Sequence, residues 1–157
     1  MFERILVCLD GSKLAEQILP YVTEQAVRCN SKLTLLPVVT MPSSVYMASA
    51  AGELPQTCDM IAMDVKKQDA EARAYLDGIA QSLLKKGIEA ACVVLGPAQA
   101  GKAIVKYAQE HAIDLICIAT HGRSGLGRFV FGSVADRVLR DSGLPILVIK
   151  PKETETK

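Results

Sequence analysis

The sequence predicts an α/β protein: an open, doubly wound, five-stranded parallel sheet with helices on both faces. Three observations predict it. Short continuous apolar runs alternate with longer amphipathic stretches, the pattern of βα units around a sheet buried on both sides. Half of the 157 residues are apolar, yet there are only three Phe, four Tyr and no Trp, so the core has to be built from Val, Ile, Leu and Ala. The length suits one domain, and a chain of this size buries roughly 68–70% of its unfolded surface without disulfide or metal staples. Residues 1–150 are read as that domain and residues 151–157 as a polar C-terminal tail.

The first run, Ile5–Leu9, stops at Asp10-Gly11-Ser12. Ser12 is placed to cap a helix carrying Ala15, Ile18, Leu19, Val22 and Ala26 on one face, slightly kinked at Pro20 and ending at Asn30. The second strand covers residues 32–39, and Pro37 marks an edge-like or bulged finish. Residues 40–63 hold two prolines and four methionines (Met41, Met47, Met60, Met63) without a period. They read as a long excursion, either a lid or an insertion without a role.

A helix follows over Asp64–Lys86, with Ala72, Leu76, Ile79 and Leu83 aligned and Gly87 as its stop. Ile88–Leu95 is the third strand, and Gly96-Pro97 turns it into a helix reaching His111, whose place in the last turn suits the helix dipole. Leu115–Ala119 is the fourth strand, followed by a glycine-rich loop and a helix over Ser133–Ser142. Ile146–Ile149 is the fifth, and the tail from Lys150 is expected to fray. Right-handed crossovers in such a sheet leave a crevice where the strand order reverses.

Composition excludes several classes of function. Eighteen basic against seventeen acidic residues give a net charge of +1, without the concentrated basic excess of a nucleic-acid binder. No apolar run approaches the ~18 residues of a membrane helix. Met1-Phe2-Glu3-Arg4-Ile5 has no basic region ahead of an apolar stretch, so no signal peptide is expected. Cys8, Cys29, Cys58, Cys92 and Cys117 are scattered, without a C-x-x-C pair, and read as thiols in a reducing compartment. His111 and His121 are too far apart in the chain to suggest a transition-metal site. The expectation is a soluble cytoplasmic protein with neither a nucleic acid nor a membrane as partner.

Three segments could hold phosphate. Gly96 to Lys102 matches G-x-x-x-x-G-K between a strand and a helix. Ala103 then has no hydroxyl for Mg²⁺, and the segment follows the third strand, so we read it as a coincidental connection. Gly125-Leu126-Gly127-Arg128-Phe129-Val130 begins like a dinucleotide fingerprint but ends in Val. The third is the informative one. Ile118-Ala119-Thr120-His121-Gly122 brings a strand end to the crevice, and Gly132-Ser133 opens a helix whose amides and dipole favour an anion. Arg123 and Arg128 add positive charge between them. Taken alone, these residues read better as a plain loop turned by its glycines and a Ser133 that merely caps a helix.

They are not alone. The chain resembles the universal stress protein family over nearly its whole length. The resemblance rests on Ile5-Leu6-Val7-Cys8-Leu9-Asp10-Gly11-Ser12, on Thr120-His121-Gly122-Arg123-Ser124-Gly125 through Gly132-Ser133-Val134-Ala135, and on Pro145-Ile146-Leu147-Val148-Ile149. It implies a Rossmann-like fold with strand order 3-2-1-4-5, and binding of ATP, alone or with Mg²⁺, through a G-x-x-G-x₉-G-S/T motif that some members have lost.

Carried onto this chain, the resemblance puts Asp10 near the adenine and ribose and Val38 in the adenine pocket. Ile118 and Ala119 lie at the strand end beside the ligand, and Gly122, Arg123, Gly132, Ser133 and Val134 cradle the phosphates and sugar. Asp10 can also be read as a plain turn former. The chain departs from the motif at Ala119, which stands in place of its first glycine. A methyl there crowds the nucleotide, and alanine tolerates positive φ poorly if the position needs it.

The resemblance further implies a homodimer through Ile146–Ile149 and a regulatory role in stress response; nothing in the residues names a protein partner. Two other readings stand beside this one, a dimeric scaffold that binds no nucleotide and a slow ATP hydrolase. The loop offers no convincing base, so turnover, if present, is expected to be slow.

Overall fold

A computed structural model of the chain describes residues 2–38, 58–95, 99–120 and 132–152, with side chains from residue 66 onward in the second of these segments. Five parallel strands form one sheet: β1 (Arg4–Leu9), β2 (Lys32–Pro37), β3 (Ala90–Cys92), β4 (Leu115–Ala119) and β5 (Ile146–Ile149). Their order is β3-β2-β1-β4-β5, which is the expected doubly wound topology. The order reverses between β1 and β4, which pair from Ile5↔Leu115 to Cys8↔Ile118.

Alternation along the strands divides the core in two. Ile5, Val7 and Leu9 of β1 face one side with Leu33, Leu35 and Cys117. There they meet α1 (Lys13–Glu16), α2 (Leu19–Cys29) and α3 (Cys58–Leu84) through Ala15, Ile18, Val22, Ala26, Leu76 and Leu83. Leu6 and Cys8 face the other side with Leu36, Ile116 and Ile118. That side is covered by α4 (Ala100–Glu110) and α5 (Ser133–Asp141), through Ile104, Val105, Ala108, Ala135 and Val138. Aliphatic side chains on both faces account for the continuous apolar runs.

Several boundaries differ from the sequence reading, each for a local reason. The first helix is broken in two. Pro20 has no N–H to donate to Glu16, and Gln17 and Ile18 instead donate to carbonyls three residues back, Leu14 and Ala15, both at 3.2 Å. Asn30 ends α2 in the left-handed conformation, φ 52°, as expected of its residue type. Helix α3 begins at Cys58, six residues before the expected start. Met60, Ala62 and Met63 are good helix formers that a search for periodicity passes over. Residues 39–57, most of the expected excursion, lie outside the described residues.

β3 is three residues long where eight were expected. Its last rung is the bond from the Val93 N–H to the Leu35 carbonyl, 3.0 Å. The next would need an N–H from Pro37, which has none. The interior strand thus cuts short its neighbour.

The chain after β5 is anchored and does not fray at Lys150. The Gln17 side-chain amide donates to the Lys152 carbonyl at 2.8 Å and accepts from its N–H at 2.9 Å, fastening residues 150–152 beside the α1–α2 break. Cys8 and Cys117, buried on adjacent strands, project to opposite faces of the sheet. Burial raises both thiol pKa values, that of Cys117 to about 12.

Candidate functional site

The crevice opens at the C-terminal ends of β1 and β4, where topology places ligands in doubly wound sheets. β1 ends at Asp10, and Gly11, at φ 81°, takes the chain into α1. Asp10 Oδ1 accepts the Ser12 N–H at 2.9 Å, so Asp10 does form the turn. Ser12 Oγ accepts the Ala15 N–H at 3.0 Å and caps α1, as its position suggested. The carboxylate is half-buried at the crevice edge.

Val38 follows β2 and donates its N–H to the Leu9 carbonyl at 2.7 Å, which holds it one strand away from Asp10. Its side chain packs on the α4–α5 side. Ile118 is 3% exposed in that same core, so it can offer a ligand only its backbone. Ala119, opposite Ile149, ends β4, and its methyl packs on the α1–α3 side. Its backbone is extended; the described non-glycine residues with positive φ are Asn30 and Ala112. The strain that alanine would suffer at a positive φ therefore does not arise here.

Past β4, Thr120 is buried, and its N–H bonds the Ile149 carbonyl at 2.9 Å. Its own carbonyl accepts the Gly132 N–H at 2.9 Å, so the two ends of the intervening loop meet. Gly122 and Arg123, with His121, lie in that loop, outside the described residues. Gly132 is the N-cap of α5, and Ser133 is the first helical residue. As a glycine, the N-cap has no side chain to bond the first turn, in contrast to Ser12 on α1. Gly132 and Ser133 are exposed and Val134 is half-buried. A β-carbon on Gly132 would stand 3.3 Å from the Thr120 carbonyl oxygen, tight enough that a neighbour would have to give.

The arrangement is a solvent-facing helix start with a glycine as its N-cap, joined directly to a strand end, with a carboxylate across the crevice. Unpaired N–H groups and the positive dipole end suit phosphate, and the carboxylate suits sugar hydroxyls. Two contributors were missed in the sequence. Thr120 fastens the helix start and was legible only as a letter inside the motif. Tyr75 of α3 brings a buried hydroxyl beneath the crevice, where burial, then Glu16, then Asp10 raise its pKa. Its signal was the spacing of Ala72, Tyr75 and Ile79 along one helical stripe. Among the described residues no group of three or more His, Cys, Asp and Glu could hold a metal ion. No helix there is long and apolar enough to cross a membrane.

Comparison with known proteins decides the family. The family model described as the universal stress protein family matches residues 1–150. The chain belongs to the universal stress protein family. It is 28% identical to universal stress protein YxiE of Bacillus subtilis, over 96% of this chain and 100% of that one. Among solved structures it is similar to universal stress protein UspA from Lactobacillus plantarum, with a TM-score of 0.77 and 19% identity over 95% and 98% of the two chains. It is also similar to a universal stress protein family protein from Arabidopsis thaliana with AMP bound, with a TM-score of 0.62 and 15% identity over 99% and 95%. At these identities the two structures speak for the fold, which this universal stress protein shares.

Proposed function

We propose that this universal stress protein binds an adenine nucleotide, ATP alone or with Mg²⁺, and acts as a regulatory homodimer in the cytoplasm. The observation that carries the reading is the α5 start: exposed, with a glycine as its N-cap and no capping side chain among the described residues, and tied to the β4 end through the Gly132–Thr120 bond. The amides of Ser133 and Val134 would hold a phosphate oxygen with no β-carbon at Gly132 to block the approach. Gly122 and Arg123 would close the cradle from the loop. Asp10, at the other wall, would accept ribose hydroxyls, and Val38 would lie against the adenine. The AMP bound in the similar Arabidopsis protein supports the adenine class.

Ala119 favours a second reading, a scaffold without nucleotide, because it replaces the first motif glycine. Its methyl, however, is turned into the core, and its backbone is unstrained. We therefore favour binding. The residues assigned to the site bind and orient; none is assigned as a base, so any hydrolysis of ATP would be slow.

The homodimer reading rests on β5, which among the described residues pairs only with β4. Its four apolar residues, Ile146–Ile149, are all only partly buried. An edge of that kind pairs readily with a second copy. The test of the nucleotide reading is mass spectrometry of small molecules released on denaturing the purified protein, then calorimetry with ATP and Mg²⁺. Co-purified adenine nucleotide or micromolar binding is expected. Neither nucleotide nor heat would leave the scaffold.

A further inference from the structure

The segment that imitates a phosphate loop, Gly96 to Lys102, leaves its second glycine without a stated purpose. Gly101 lies in the first turn of α4 and is buried where α4 meets α5. A β-carbon on Gly101 would come within 2.8 Å of both Cβ and Cγ of Arg137, and within 3.5 Å of the Val134 carbonyl oxygen. Carbon atoms pack at about 3.5–4.0 Å, so two of these approaches are deep overlaps. Arg137 cannot swing clear. Its Cβ is fixed by the helix backbone, so no change of rotamer removes that contact. Relief would have to come from a shift of α5 against α4.

The start of α5 is held from another side. Gly132 donates to the Thr120 carbonyl at 2.9 Å, and its own missing side chain leaves only 3.3 Å to that oxygen. Displacement imposed at Val134 and Arg137 therefore falls on the first turn, between a fixed strand end and a moved second turn.

We infer that Gly101 is a positioning residue for the phosphate-facing turn of α5. Its missing side chain sets the α4–α5 separation and thereby the placement of the Ser133 and Val134 amides against the end of β4. The effect on ligand binding rests on the nucleotide reading above; the effect on α5 does not.

The experiment compares wild type, Gly101→Ala, Arg137→Gly and the double variant, with Gly78→Ala as control. Gly78 lies in α3 with nothing within 4 Å of its added carbon. ATP affinity is read by calorimetry, and the backbone amide shifts of Thr120, Gly132, Ser133 and Val134 by NMR on the nucleotide-free protein. Gly101→Ala is expected to weaken ATP binding about tenfold, the scale of an overpacked contact, and to move those amide shifts. Alanine is the better helix former, so the loss cannot come from unwinding α4.

Adding Arg137→Gly removes the colliding atoms. It should return affinity and shifts to those of Arg137→Gly alone, although glycine inside α5 lowers the unfolding temperature. Recovery in a less stable protein is a result that a merely structural role would not produce. Gly78→Ala should change neither readout. Wild-type affinity and shifts in Gly101→Ala would overturn the inference, as would losses that persist in the double variant. If wild type binds no ATP, the nucleotide reading fails by itself. The shifts then decide: displacement in Gly101→Ala that reverts in the double variant upholds the inference, and unmoved shifts end it.

Discussion

Two aspartates stand at opposite ends of the sheet, and their carboxylates are used differently. Asp114, at the N-terminal ends of the strands, accepts the N–H groups of Glu3 at 2.8 Å and Arg4 at 3.2 Å with its two oxygens. Its own N–H donates to the Arg4 carbonyl, and the Lys32 N–H donates to that of Glu3. His111 closes α4 nearby, its ring stacked 3.8 Å from that of Tyr107. That end is knitted to itself. Asp10, at the C-terminal ends, has one oxygen on the Ser12 N–H, and among the described residues no partner for the other. Beside it stands a helix start that no side chain caps among the described residues. The same residue type thus fastens the sheet at one end and keeps an oxygen without a described partner at the other, which is what the proposed ligand site would need.

The sharpest break of that contrast is Gly132→Val. A branched side chain would press on the Thr120 carbonyl and cover the helix amides, so nucleotide binding should fall by about 3 kcal/mol or more, beyond detection, with the fold unchanged by circular dichroism. Unaltered affinity would remove the C-terminal end from consideration.

The strand centres, between the two ends, supply the next test. The folded pKa of Cys117 lies near 12 against an ordinary 9.0, because burial disfavours the thiolate. The folded protein therefore keeps this proton while the unfolded chain loses it. The stability it contributes is whole below pH 9 and is lost as the pH rises toward 12. Urea unfolding across that window should lose about 1.4 kcal/mol per pH unit for this thiol, and Cys117→Ala should flatten the slope by that amount. Parallel slopes would show that the thiol does not titrate in this way.

The two aspartates should then separate cleanly. Asp10→Ala is expected to weaken nucleotide binding by about 1–3 kcal/mol with little change in unfolding, if its bond to the sugar is made in a desolvated site. Asp114→Ala should leave affinity alone and lower stability by about 1 kcal/mol, since two backbone N–H groups lose their acceptor but can turn to water. Exchanged outcomes would reverse the roles of the two ends. The smallest effect is expected from Ala119→Gly. With the methyl turned into the core, affinity should change by less than about threefold, within the range of a small packing adjustment. A tenfold gain would show that the methyl obstructs the nucleotide.

Much of this was legible in the chain. The runs Ile5–Leu9, Leu115–Ala119 and Ile146–Ile149 are strands because they are short, aliphatic and bounded by turn residues. The Ser12 cap and the left-handed end at Asn30 follow from residue type alone. Ser133 was legible as a helix start too, though the N-cap is Gly132. In each case the cause lies within a few residues of its effect.

What only the tertiary structure decided has its cause across the sheet or between helices. β3 is short because its neighbour's Pro37 lacks an N–H, and residues 150–152 are fastened because Gln17 meets Lys152. Asp114 is a clamp and Asp10 is not, although both are aspartates at strand ends. Gly101 reads as part of a phosphate loop until Arg137 is found against it. Backbone propensity and periodicity are local, so the sequence by itself determined the order and type of the main elements, and its motifs pointed to the family. Hydrogen-bond satisfaction and close packing are settled between distant segments, so only the assembled fold determined which polar groups remain for a ligand.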